Sequence, residues 1–192
     1  MGNPLLDRVL PTELAERSQA IEYKGVLGDF ERLVEVVGAD LEALAQADRP
    51  QDWRAAPVSV SLEFYWLDGQ RPLPAVKGRI RADLATVCQR CLEAFTMPVE
   101  TSVSVVFTGR GAAADFAALK DCEIWEQEAD TIRLLDVVEE VLIMALPVAP
   151  AHKSPASCGP LAKRIAATTP ATTRPFADLR SQMGKTNKRM PG

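Results

Sequence analysis

The chain of 192 residues has a single histidine, His152, and lacks the short motifs that mark most catalytic sites. It contains no G-x-S-x-G and no H-E-x-x-H, so neither a nucleophile elbow nor a helical zinc-protease site is encoded. Gly184-Lys185-Thr186 resembles the end of a phosphate-binding loop, but Leu179 stands where the first glycine belongs, and no strand precedes it. No apolar run approaches the roughly 18 to 20 residues a helical membrane span requires. Met1 to Asp7 has no basic segment leading into an apolar one, which predicts no signal peptide. Leu6 stands where a myristoylation motif requires Ser or Thr. There is no internal repeat. These absences predict a cytoplasmic protein, and nothing in the chain demands an enzyme.

Charge is present, and unevenly. Residues 151–192 hold Lys153, Lys163, Arg164, Arg174, Arg180, Lys185, Lys188 and Arg189 against one acid, Asp178, a net +7. The chain has 22 basic and 26 acidic groups, so 14 and 25 remain for residues 1–150, a net −11. An acidic body with a basic tail suits contact with nucleic acid through the tail. A solvated tail drawn to its own body explains the same asymmetry. Phe176 is the only residue of that tail able to stack on a base. Lys77, Arg79 and Arg81, at period two, are a second candidate for phosphate contact, with an ordinary wet sheet face as the alternative.

Period-two patterning dominates the middle of the chain. Val58, Val60, Leu62, Phe64 and Trp66 alternate with polar residues and predict a half-buried strand. Asp68-Gly69 then offers the favoured pair for a type I′ hairpin turn. Val76, Gly78, Ile80, Ala82, Leu84 and Thr86 form one face of a second strand. Phe95, Met97, Val99, Thr101, Val103, Val105 and Phe107 form one face of a third. Ala20–Gly25 predicts an edge strand, and Cys122–Trp125 one more short strand. Two helices are predicted. One runs from an Asp29 cap through Leu33, Val37, Leu41 and Leu44 to about Ala47, weakened by Gly38 by roughly 1 kcal/mol. The other runs from Leu134 to Leu146, apolar enough in its second half to bury its end, with Glu139 and Glu140 on its wet face. Pro11–Arg17 can form a shorter helix.

The expected fold class is α+β: an antiparallel β-meander or barrel-like sheet with two packed helices. Residues 1–150 are expected to be the core domain. Residues 151–192 are expected to be a Pro-rich basic tail, irregular and partly disordered.

Cys88-Gln89-Arg90-Cys91 falls in the tight connection between the second and third strands. A turn there lets two thiolates converge on one ion. His152 and Cys158, just past the second helix, can complete a Cys₃His set suited to structural zinc. In a reducing compartment such cysteines read better as ligands, redox groups or buried thiols than as disulfides. Two other readings stand beside the metal. The cysteines can simply shape a turn, with His152 on the surface. They can also form a thioredoxin-like pair, although that chemistry wants a helix N-terminus and strands flank this motif. Cys122 reads as a small buried hydrophobe.

Taken together, Cys88–Leu92 with Phe95, Val141–His152, Cys158 and Arg174–Leu179 resemble the bacterial YceD family over roughly residues 20 to 182. Tyr23-Lys24-Gly25 and Leu134-Leu135-Asp136 belong to the same resemblance. The family is described as the large ribosomal RNA subunit accumulation protein. The resemblance implies a role in synthesis, processing or stability of large-subunit (23S) ribosomal RNA, with ribosomal RNA or a pre-ribosomal particle as partner. Family genes often lie beside one for a phosphate acyltransferase of phospholipid synthesis, so the alternative is an adaptor binding that enzyme. Many members carry a second pair, C-x-x-x-C, after the Leu-Pro motif. Here Cys158 has Ala162 near the second position, which leaves Cys₃His or no metal.

Overall fold

The computed structural model describes residues 3–67, 72–109, 122–127 and 129–160. Its centre is a five-stranded sheet. Strands β2 (Ala20–Val26), β3 (Pro57–Leu67), β4 (Leu73–Val87), β5 (Ala94–Gly109) and β6 (Glu123–Gln127) lie side by side in that order. The first four pair antiparallel, as the alternation predicts. The last runs parallel to β5. The sheet is open, not barrel-like: β2 and β6 are its two edges and do not meet. Strand β1 (Arg8–Val9) pairs with β7 (Ile132–Arg133) in a separate two-stranded ladder. The Asp68-Gly69 turn and the Arg110–Asp115 loop lie outside the described residues.

One face of the sheet is apolar and carries helices α2 (Glu31–Leu41) and α3 (Leu134–Met144). Leu33, Val37 and Leu41 recur at helical spacing on α2 and are buried. They meet Val60, Leu62, Ile80 and Leu84 of the sheet and Val138 and Leu142 of α3 in one core. Phe64 and Phe107 stack within it, ring centroids 6.3 Å apart. The short helix α1 (Pro11–Glu16) packs against β3 and β4. The opposite face of the sheet is wet and ion-paired. Lys77 meets Glu63 at 3.2 Å, and Glu100 takes both Arg79 (2.8 Å) and Arg81 (3.2 Å). The basic stripe is therefore matched by carboxylates on the neighbouring strands.

Five sequence expectations change. Asp29 does not cap α2. Its carboxylate accepts from the Val26 N–H at 3.0 Å and from the Tyr23 hydroxyl at 2.5 Å. Burial and that hydrogen bond push the Tyr23 hydroxyl up to about 12. Gly25 lies beneath the Tyr23 ring, where a Cβ would overlap the hydroxyl, and it does not end β2, which pairs on through Val26 opposite Pro57. The cap of α2 comes instead from Glu139, 1% exposed on α3, whose Oε1 accepts the Arg32 N–H at 2.9 Å. Glu139 is thus core-facing, and only Glu140 holds the wet face, bonded to Arg32 at 2.7 Å. Helix α2 also stops at Leu41, six residues short of Ala47. Finally, the end of α3 is only half-buried, with Met144 exposed, because no element covers that side among the described residues.

Candidate metal centre

The connection from β4 to β5 is closed by backbone bonds. Cys88 N–H donates to Glu93 O at 2.9 Å, and Leu92 N–H to Cys88 O at 2.8 Å. Making that turn drives Leu92 into the left-handed region, φ 58°, where glycine is the usual occupant. Cys88 and Cys91 are buried as a result. Asp40, on α2, holds the entrance to this turn. Its Oδ2 accepts from Thr86 Oγ1 at 2.7 Å and from Val87 N–H at 2.8 Å.

The second half of the site arrives by a different route. Pro147 ends α3, since a proline cannot continue its hydrogen-bond ladder. Gln89 N–H then fastens Pro150 O at 2.8 Å and brings His152 to the turn. Ser154 caps a single 3₁₀ turn, Pro155–Ser157, and Cys158 N–H donates back to Pro155 O at 3.1 Å. Gly159 passes against the Glu93 carboxylate where a Cβ would overlap it.

All four side chains expected from the sequence converge. One donor atom from each of Cys88, Cys91, His152 and Cys158 lies within 4.8 Å of all the others. His152 Nδ1 is 3.5 Å from Cys91 Sγ and 3.7 Å from Cys158 Sγ. Tetrahedral zinc, with Zn–S near 2.3 Å and Zn–N near 2.0 Å, puts S and N about 3.5 Å apart and two sulfurs about 3.8 Å apart. The donor spacing fits a metal ion, and the three thiols are free rather than disulfide-bonded. His152 is not a surface residue: it is half-buried, with its ring 4.5 Å from that of Phe95.

The electrostatics favour thiolate at one ligand. Burial alone pushes the Cys88 thiol up, but backbone N–H groups of His152, Arg90 and Cys91, together with the Cys91 thiol, more than offset it and bring it down to about 6. Burial pushes Cys158 up, opposed by the Arg90 guanidinium, whose Nη1 lies 3.7 Å from Cys158 Sγ. No helix starts at Cys88, so the thioredoxin-like arrangement is absent. Sequence reasoning missed Arg90, Phe95 and Asp40 as parts of this site. Arg90 sits inside the C-x-x-C, yet nothing local says its guanidinium meets a sulfur 68 residues away. Cys122 is half-buried rather than buried, at the edge of a small cluster with Ala75 and Val106. The basic tail residues Lys163, Arg164, Arg174, Arg180, Lys185, Lys188 and Arg189 lie outside the described residues.

Residues 76–181 match the family model described as "Large ribosomal RNA subunit accumulation protein YceD". The chain belongs to the YceD family. The match takes in the whole β4–β5 turn, helix α3 and the second half of the Cys₃His cluster. The chain is similar to the large ribosomal RNA subunit accumulation protein YceD of Haemophilus influenzae, 34% identical over 99 residues. That stretch is 50% of this chain and 53% of the relative, so the chain spans about half the length of the relative. No solved structure matches. Among the described residues, no helix is long and apolar enough to cross a membrane.

Proposed function

We propose that this YceD-family chain is a cytoplasmic, non-enzymatic factor in the synthesis, processing or stability of large-subunit ribosomal RNA. The observation that carries the reading is its membership of a family described as the large ribosomal RNA subunit accumulation protein. In this reading the acidic body is a scaffold, and the basic residues Lys163, Arg164, Arg174, Arg180, Lys185, Lys188 and Arg189 contact ribosomal RNA or a precursor particle.

Cys88, Cys91, His152 and Cys158 hold a structural zinc ion in this reading. Sulfur and imidazole are the donors zinc prefers, and four protein ligands leave no open position for a reacting water. Three thiolates and a neutral imidazole around Zn²⁺ total one negative charge, which the neighbouring Arg90 balances. The ion would fasten the root of the basic tail to the end of the sheet.

The test is binding of large-subunit ribosomal RNA across a salt series. Reversing Lys163, Arg164, Lys185 and Lys188 to glutamate is expected to weaken binding and flatten its salt dependence, because fewer counterions are released. Equal affinity and slope for the reversed and native proteins would refute the tail's role. The second reading, an adaptor for a protein such as the phosphate acyltransferase, rests on the acidic body. It requires the partner to survive nuclease treatment in a pull-down.

A further inference from the structure

Beside the metal centre lies an apolar groove of about 350 Å³. Its walls are Val36 and Val37 of α2, Leu84 at the end of β4, Met97 of β5, and Ile143 and Leu146 at the end of α3. Val36 is exposed, and so are Met144 and Val148 nearby in the chain. The groove is where α3 leaves its end half-covered. Asp40 is the one acid in its wall.

We propose that residues Pro175–Leu179 of this same chain occupy the groove, with Phe176 and Leu179 as the buried anchors. Three observations favour this occupant. The first is proximity. Gln89 and Pro150, hydrogen-bonded to each other at 2.8 Å, both line the groove. Gln89 adjoins Cys88, and Cys158 lies at the same cluster, so the described chain ends two residues past a cluster that adjoins the groove. The 16 residues from Pro160 to Phe176 span up to about 55 Å when extended, and a tether of that length gives an effective concentration on the order of millimolar.

The second is chemistry. Phe176 is the only aromatic residue after Pro160, and with Leu179 it forms an apolar pair flanked by Arg174 and Arg180. Those cations suit a groove walled by Asp40 on a body of net −11. The third is the extent of the family match. It continues through the Pro175–Leu179 island and stops at 181, leaving Lys185, Lys188 and Arg189 outside. A packed segment belongs inside the shared span; a purely electrostatic tail has no need to be. The proposal does not rest on RNA binding: its anchors, Phe176 and Leu179, are not among the residues assigned to RNA, although the flanking Arg174 and Arg180 are.

The test uses the full chain with the photoreactive residue p-benzoylphenylalanine at position 176. Irradiation is expected to give an intrachain adduct, mapped by mass spectrometry to residues 36–37 or 143–148, in a yield independent of protein concentration. Val36→Arg changes an exposed wall residue and is expected to lower that yield at least fivefold with an unchanged circular dichroism spectrum. In the protein without the photoreactive group, Phe176→Ala with Leu179→Ala is expected to speed amide exchange at those same wall residues and nowhere in β2 or β3. Adducts between chains that grow with concentration would assign the groove to a second copy and overturn the proposal. So would adducts scattered over other surfaces, the absence of any adduct, or an adduct indifferent to Val36→Arg.

Discussion

Leu92 shows how a single residue records the demands of the site. Its φ of 58° is sterically unfavourable for a branched side chain, and 55% of it is exposed, so little burial compensates. The strain is tolerated because the Leu92 N–H and Cys88 N–H bonds both depend on that turn. Leu92→Gly is expected to raise stability by roughly 0.5–1 kcal/mol, the relief of left-handed strain less the entropy a glycine adds to the unfolded chain. Denaturant unfolding of the metal-loaded protein measures it, and a lower midpoint would contradict the strain account. The ligands are tested at the same scale. Freshly purified protein, never exposed to chelator, is expected to carry about one zinc per chain. Cys158→Ala, which removes one of four donors, is expected to lose most of it. Elemental analysis reading near zero zinc in the native chain would dismiss the metal.

At the scale of elements, the two core helices are joined by a buried carboxylate. Glu139 of α3 caps the first turn of α2, a position left without a local side-chain cap. Burial pushes its pKa up, opposed by the backbone N–H groups of Arg32 and Leu33. A carboxyl whose folded value exceeds its unfolded one makes the folded state bind more protons. Its contribution is fully present below the ordinary glutamate value and is lost as pH rises through the raised one. Glu139→Gln keeps an acceptor for the N–H groups and is expected to flatten that loss as pH rises above the ordinary glutamate value. Glu139→Ala orphans those donors and is expected to cost roughly 1–3 kcal/mol. Unfolding midpoints across the pH series distinguish the two. Asp40 does the corresponding work at the other end of α2, tying it to Val87 just before the first ligand. Asp40→Ala is therefore expected to loosen the cysteine turn as well as the helix, seen as a lower unfolding midpoint and faster zinc loss to chelator.

At the scale of the molecule, the candidate metal centre joins two distant stretches of chain, Cys88–Cys91 and His152–Cys158. Removing the ion is expected to free the second stretch while the sheet persists, because the main core of α2, α3 and the strands shares no residue with the cysteine cluster. Amide exchange should rise over residues 150–160 after chelation and stay unchanged in β3. Uniform acceleration through the sheet would show instead that the ion supports the whole fold.

The strands, the α3 helix and the four residues of the Cys₃His cluster were legible in the residues themselves. Period-two alternation reports which side of a strand is buried without reference to any partner, and thiol and imidazole carry their chemistry wherever they sit. The open edge of the sheet, the parallel seating of β6 and the early stop of α2 were not legible, because each depends on which neighbour is available. Glu139 is the clearest case. On its own helix it is one charged residue beside another, and only the approach of the α2 N-terminus makes its burial tolerable. The cysteine turn divides in the same way. The sequence by itself determined that four suitable donors exist, in two pairs separated by about 60 residues. Only the tertiary structure decided that they meet. The end of α3 and the Gln89–Pro150 bond bring the second pair to the first, and contacts between distant segments have no local signature in either.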